Sequence, residues 1–189
     1  MAAGSLKDLY FDELGDLYDA EIQTLHALPR LAEAAHAPEL REALARHYEA
    51  SRLHLERLQL IFTHWGERPG LHRCLGIAGI VQEADDRLNR VATDDALDAA
   101  SIGAAQRIEH YEIASYGCAC TYARWLNRPD EARLLQETLD EEGREDRRLS
   151  EIADAHLNAD ASGVTELAPT ETADEPVRPG RSRRSVIAQ

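Results

Sequence analysis

Glu109 and Glu112 stand in the stretch Ile108-Glu109-His110-Tyr111-Glu112-Ile113, near the middle of the chain. Ile102, Ala105, Ile113, Tyr116 and Cys120 surround them at steps that trace one face of a helix. At about 100° per residue, Glu109 falls at the centre of that apolar face and Glu112 at its edge. A carboxylate turned into a core is costly unless something neutralises it. A metal ion, a bound proton and a buried basic partner are the three candidates, and each implies a different chemistry.

Similar residues interrupt the other apolar stripes at mid-height. The first helix offers Glu21, the second His47 and His54, and the last Glu142 and Asp146. Carboxylates and imidazoles converging from all sides of a bundle are the ligand set of a di-iron or di-manganese site. Read singly, each has a plainer meaning: a lone His is a satisfied core histidine, and a lone Glu such as Glu131 or Glu145 is solvated. Arg46, Arg107 and Arg124 are the cations that a purely structural ion network would use. No Lys or Arg shares the inward stripes, and the combined pattern therefore favours metal.

The elements that must position these residues are long helices. Ser5-Leu-Lys-Asp8 forms a capping box variant, followed by inward positions Leu6, Leu9, Glu13, Leu17, Glu21, Thr24 and Leu28. Pro29 is expected to kink or end this helix, and His36-Ala37-Pro38 to break it. The second helix runs from 38 to 65 and closes at Gly66, with the seam Leu40, Leu44, His47, Ser51, His54, Leu58, Ile61, Trp65. Residues 71–92 read as a crossover helix, with Ile77, Ile80, Val81, Ala84, Leu88 and Val91 as its apolar face. Asp94-Asp95 is read as the cap of a third long helix over 96–126, and Pro129 opens a fourth over 129–158. The fold class is all-α: a four-helix bundle over residues 1–159 with an additional crossover helix. Residues 160–189 read as a disordered C-terminal tail carrying a basic cluster at Arg181, Arg183 and Arg184.

Composition narrows the function classes. Hydrophobic residues make up 43% and charged residues 30%, values suited to a globular core under long solvated helices. A formal net charge of −14 disfavours nucleic acid and anionic membranes as partners and favours cations. No apolar run approaches the roughly 20 residues of a membrane span, and no signal peptide opens the chain. Cys74, Cys118 and Cys120 do not form a disulfide framework, which makes a reducing, cytoplasmic location the expectation.

The motifs also carry a family resemblance. Asp16-Leu-Tyr-Asp-Ala-Glu21, Ala27-Leu-Pro-Arg-Leu-Ala32, His47-Tyr-Glu49, Leu55-Glu-Arg-Leu58, the run from Ala104 to Gly117 and Thr138-Leu-Asp-Glu-Glu142 together resemble the YciE/YciF-type ferritin-like proteins. The resemblance covers residues 6–156 and is most specific between Ala104 and Gly117. It implies a ferritin-like bundle, a homodimer, a role in bacterial stress responses and two bound irons, with Glu21, Glu109, Glu112 and Glu142 at the carboxylate positions. Helix two departs from the family's His-Leu-Glu-Glu-Thr pattern, because Ala50 supplies no ligand there.

The expected function is thus a di-metal carboxylate protein, with iron or manganese bound by Glu21, His47, His54, Glu109, Glu112, Glu142 and Asp146. O2 or peroxide would be its co-reactant, in iron oxidation or peroxide removal, and whether it is an enzyme stays open. The alternative is a non-catalytic helical stress or interaction module without metal. A hollow storage cage has no specifying feature in the chain.

Overall fold

The computed structural model describes residues 4–70 and 72–163, which are all-helical with no strand among them. Four long helices, α1 (Leu6–Ala34), α2 (Pro38–His64), α4 (Asp94–Trp125) and α5 (Pro129–Ile152), form a bundle in which α1 packs on α2 and α4, and α5 packs on both of those. The crossover helix α3 (Leu75–Leu88) lies against α1 and α4. A π-helical turn, Ala153–Leu157, and the short α6 (Asn158–Ser162) follow α5. Residues 160–162, assigned to the tail from sequence, thus continue a helix, and the rest of the tail reading lies outside the described residues.

Helix boundaries follow local chemistry. Ser5 Oγ accepts from the Asp8 amide at 3.2 Å, and Asp8 Oδ2 accepts from the Gly4 amide at 3.0 Å, which closes the cap of α1. Pro29 neither ends nor breaks α1. It sits on the exposed face, so the bond it cannot make is lost on the water side. The start of α1 also turns differently from the expected stripe. Leu9 is 45% exposed, while Tyr10 and Leu14 are fully buried. The cap of α4 is Thr93, whose Oγ1 accepts from the Ala96 amide at 3.4 Å; Asp94 and Asp95 fall in the first turn, where they suit the helix dipole. α2 has no side-chain cap of its own. Asp98 of α4 instead accepts from the His36 amide at 2.6 Å and the Ala37 amide at 2.8 Å.

The crossover helix is shorter than its apolar pattern suggested, spanning Leu75–Leu88. Gly76 lets it approach α4, because a Cβ there would stand 2.6 Å from the Tyr111 ring. Gly66, at φ +68°, closes α2 as expected. Asn127, at φ 56°, turns the chain from α4 into α5.

Packing then layers the bundle along its axis. One apolar cluster holds Leu28, Leu31, Leu40, Leu44, Ile102 and Leu149. A second, towards the opposite end, holds Leu14, Leu17, Leu58, Ile61, Tyr116 and Leu135, and a third joins α3 to the bundle through Ala20, Ala27, Ile77 and Ile108. Between the first two, along each helix, lie the buried polar residues Glu21, His47, His54, Glu109, Glu112 and Glu142. The α2 seam is buried from Leu40 to Ile61 without a break in phase, which holds His47 and His54 in that layer.

Glu131 is not solvated, as its sequence context suggested. It is 1% exposed and accepts from Tyr10 Oη at 3.0 Å, Trp65 Nε1 at 2.9 Å and the Arg128 guanidinium. Glu131→Ala leaves the buried Tyr10 hydroxyl, the half-buried Trp65 indole and a cation without their acceptor. It is expected to cost about 3 kcal/mol in urea unfolding; an unchanged midpoint would show that this network contributes nothing.

Candidate metal centre

Each helix of the bundle delivers side chains to the middle layer by its own period. On α2, His47, Ser51 and His54 follow at steps of four and three, so both imidazoles share one face. On α4, Glu109 and Glu112 are one turn apart. Glu21 comes from α1 and Glu142 from α5. None of these seven is more than 2% exposed.

Two groups result. His47, Glu109, Glu112 and Glu142 each bring a ligand-type atom within 4.8 Å of the others, and so do Glu21, His54 and Glu142. Glu142 belongs to both. His47 Nδ1 lies 2.8 Å from Glu109 Oε1, and His47 Nε2 lies 3.6 Å from Glu142 Oε2. His54 Nδ1 lies 2.9 Å from Glu142 Oε1 and 3.1 Å from Glu21 Oε1. Tyr116 donates to Glu21 Oε1 at 2.7 Å, and Thr24 donates to Glu112 Oε1 at 2.9 Å.

Closeness here is not hydrogen bonding throughout. Both ring nitrogens of His47, both oxygens of Glu109 and of Glu142, and Oε2 of Glu21 and Glu112 are buried without a hydrogen-bond partner. The 2.8 Å approach of His47 to Glu109 has ion-pair distance but not hydrogen-bond alignment. Lone pairs that crowd together without donors between them are what a shared cation requires. The all-oxygen-and-imidazole donor set suits iron or manganese and fits a di-metal centre.

No Lys or Arg among the described residues pairs with these four carboxylates. Arg46 pairs with Glu42, Arg107 donates to the Gly103 carbonyl, and Arg124 donates to Gln136. Asp146 lies apart from both groups: it is partly exposed, with Oδ1 3.3 Å from both His110 Nδ1 and Gln106 Nε2. Ala50, half-buried between His47 and His54, offers nothing to either group.

Two neighbours went unread in the sequence. Arg57 clamps Glu141, with Nη2 donating to Oε1 at 3.0 Å and Nη1 to Oε2, and Glu141 Oε2 sits 3.0 Å from His54 Nε2. Both residues flank the inward stripes rather than occupy them, so helix phase gave no signal. Tyr116 and Thr24 were legible as inward positions, but their bonds to Glu21 and Glu112 depend on how the helices face one another.

Electrostatics in the layer are strained without a cation. Burial pushes Glu109 up to about 8, with Glu145, Asp146 and Glu21 adding like charge. Burial likewise pushes Glu142 up to about 7 and Glu112 well above the usual carboxylate range. His54 would be lowered by burial, but the Glu21 charge, its bond to Glu141 and the Glu142 carboxylate close by overcome this and raise it to about 12.

A pH dependence follows. The folded chain keeps protons on Glu109 and Glu142 where unfolded carboxylates, near 4.5, have lost them. The stability that this cluster contributes therefore falls as pH rises from about 4.5 to 8. The raised His54 contributes fully below its ordinary 6.5 and progressively less above it, which adds to the same trend. Metal competes with those protons, so its stabilisation grows with pH. Melting curves at pH 5.5 and 8 should show the metal-free chain weaker at pH 8, and saturating Mn(II) narrowing the difference. Equal metal stabilisation at both pH values would contradict the ligand assignment.

Comparison with known proteins agrees with this architecture. Residues 5–162 match the family described as Domain of unknown function (DUF892). Protein YciF of Escherichia coli (strain K12) is 35% identical over 158 residues, covering 83% of this chain and 95% of that protein. The crystal structure of the E. coli stress protein YciF matches with a TM-score of 0.79 at 34% identity, over 82% of this chain and 99% of that one. YcfI from Rhodopseudomonas palustris matches at 0.76 and 36% identity, over 77% and 93%. A two-domain protein from Anabaena variabilis, with DJ-1/ThiJ/PfpI-like and ferritin-like domains, matches at 0.57 and 16% identity, over 98% of this chain and 43% of that one. That last likeness shows the fold alone. Matched over most of its length by sequence and by structure, the chain belongs to the DUF892 family, the YciE/YciF-type ferritin-like proteins.

Proposed function

We propose that this chain is a di-metal carboxylate protein with two irons, manganese being the alternative occupant. The carrying observation is the convergence of buried, unpartnered carboxylate and imidazole atoms in one layer of the core. His47, Glu109, Glu112 and Glu142 would hold one ion and Glu21, His54 and Glu142 the other, Glu142 being common to both groups. A bound iron pair supplies redox equivalents and open coordination positions for O2 or peroxide.

The chain's own residues shape that chemistry. Tyr116 and Thr24 fix the carboxylates of Glu21 and Glu112 through their donated bonds. The apolar layers above and below exclude bulk water. The activity that fits is oxidation of iron or removal of peroxide. A stress setting is drawn from the E. coli relative described as a stress protein. A cytoplasmic homodimer belongs to the same reading.

A second reading has its own support. With Glu109 and Glu142 pushed up to about 8 and 7, the acids can stay protonated near neutrality, and a metal-free helical interaction module is self-consistent. Metal analysis of protein purified without chelator separates the two. The first reading expects two equivalents of iron or manganese per chain. It also expects about 3 kcal/mol of stabilisation at a hundredfold excess over Kd, which Glu109→Ala removes. If no metal copurifies or rebinds, and Glu109→Ala leaves the melting temperature unchanged or higher, the metal-free module is the correct reading.

A further inference from the structure

We propose that Glu141, clamped by Arg57, is a positioning residue that fixes His54 as an Nδ1 ligand and thereby completes the weaker of the two metal positions. The inference rests on the di-metal reading above. It concerns a carboxylate that belongs to neither ligand group.

The geometry leaves His54 one way to act. Its Nδ1 faces Glu21 and Glu142, at 3.1 and 2.9 Å, and its Nε2 faces Glu141 Oε2 at 3.0 Å. The Arg57 guanidinium holds both Glu141 oxygens, and Thr138 Oγ1 accepts from Arg57 Nη1 at 3.0 Å. A carboxylate bound in this way is an ionised acceptor. The hydrogen it accepts must therefore sit on Nε2, so Nδ1, facing Glu21 and Glu142, is the nitrogen that gives up its proton to a metal. A carboxylate behind a ligating histidine orients the ring and raises its basicity.

The second position needs that help more than the first. The His47 group has four contributors, whereas the Glu21 group has three, one of them shared. Ala50, one turn from His54 on the same helix, adds no ligand to make up the difference. Glu141 is 27% exposed and Arg57 20%, so the support reaches to the edge of the bundle between α2 and α5. The two ions would thus load unequally, with the dependent position filling second.

Calorimetric titration of the metal-free full chain with Mn(II) at one fixed pH tests this. Wild type should show two unequal sites. Glu141→Ala should weaken the second by roughly 10- to 100-fold and leave the first unchanged. Glu141→Gln keeps an acceptor for Nε2–H in the same shape and should restore most of the loss. Two-site binding that Glu141→Ala leaves intact, or weakens equally at both sites, overturns this inference and spares the di-metal reading. If wild type binds no Mn(II) or Fe(II) at all, the di-metal reading fails and this inference falls with it.

Discussion

Four carboxylates share one dry layer of this bundle, and no lysine or arginine among the described residues pairs with them. Like charges at such distances in a medium of low dielectric repel strongly, and desolvation adds to the cost. The fold meets that cost in one of two ways, by protons or by cations. Most other features follow from the need to keep these acids together: long helices with unbroken seams, an apolar cluster on each side of the layer, and fixed donors from Tyr116 and Thr24.

The arrangement also explains why stability and function pull against each other here. A core optimised for the metal-free chain would replace Glu109 and Glu142 with leucines, at equal volume and without repulsion. The chain instead carries acids whose protonation is displaced toward neutral pH. The apolar clusters anchor the helices on both sides of that layer, so the strain stays local. At the far end, Glu131 shows how this protein treats a structural buried acid. It receives Tyr10, Trp65 and Arg128 as partners, whereas the mid-layer acids receive mainly one another.

Much of this was legible from sequence, for a specific reason. Helical phase depends only on spacing, so Glu21, His47, His54, Glu109, Glu112 and Glu142 declared themselves by interrupting apolar stripes, and all are buried. Phase failed where another force set the rotation. Tyr10 with its bond to Glu131 turned the start of α1 away from Leu6 and Leu9. Asp146 sat on the stripe, yet it lies partly exposed beside His110 and Gln106, since phase alone does not fix depth. Arg57 and Glu141 were invisible, because a long side chain reaching sideways between helices leaves no periodic trace. The caps at Thr93 and Asp98 likewise depend on contacts or turns that a stripe does not encode.

The di-metal proposal has the mid-layer acids assembled for two cations. Anomalous diffraction at the iron edge, from crystals loaded anaerobically with Fe(II), tests it most directly. Two peaks are expected in the bundle core, one among His47, Glu109, Glu112 and Glu142 and one among Glu21, His54 and Glu142. A core without anomalous density, with iron only at surface carboxylates, would contradict it.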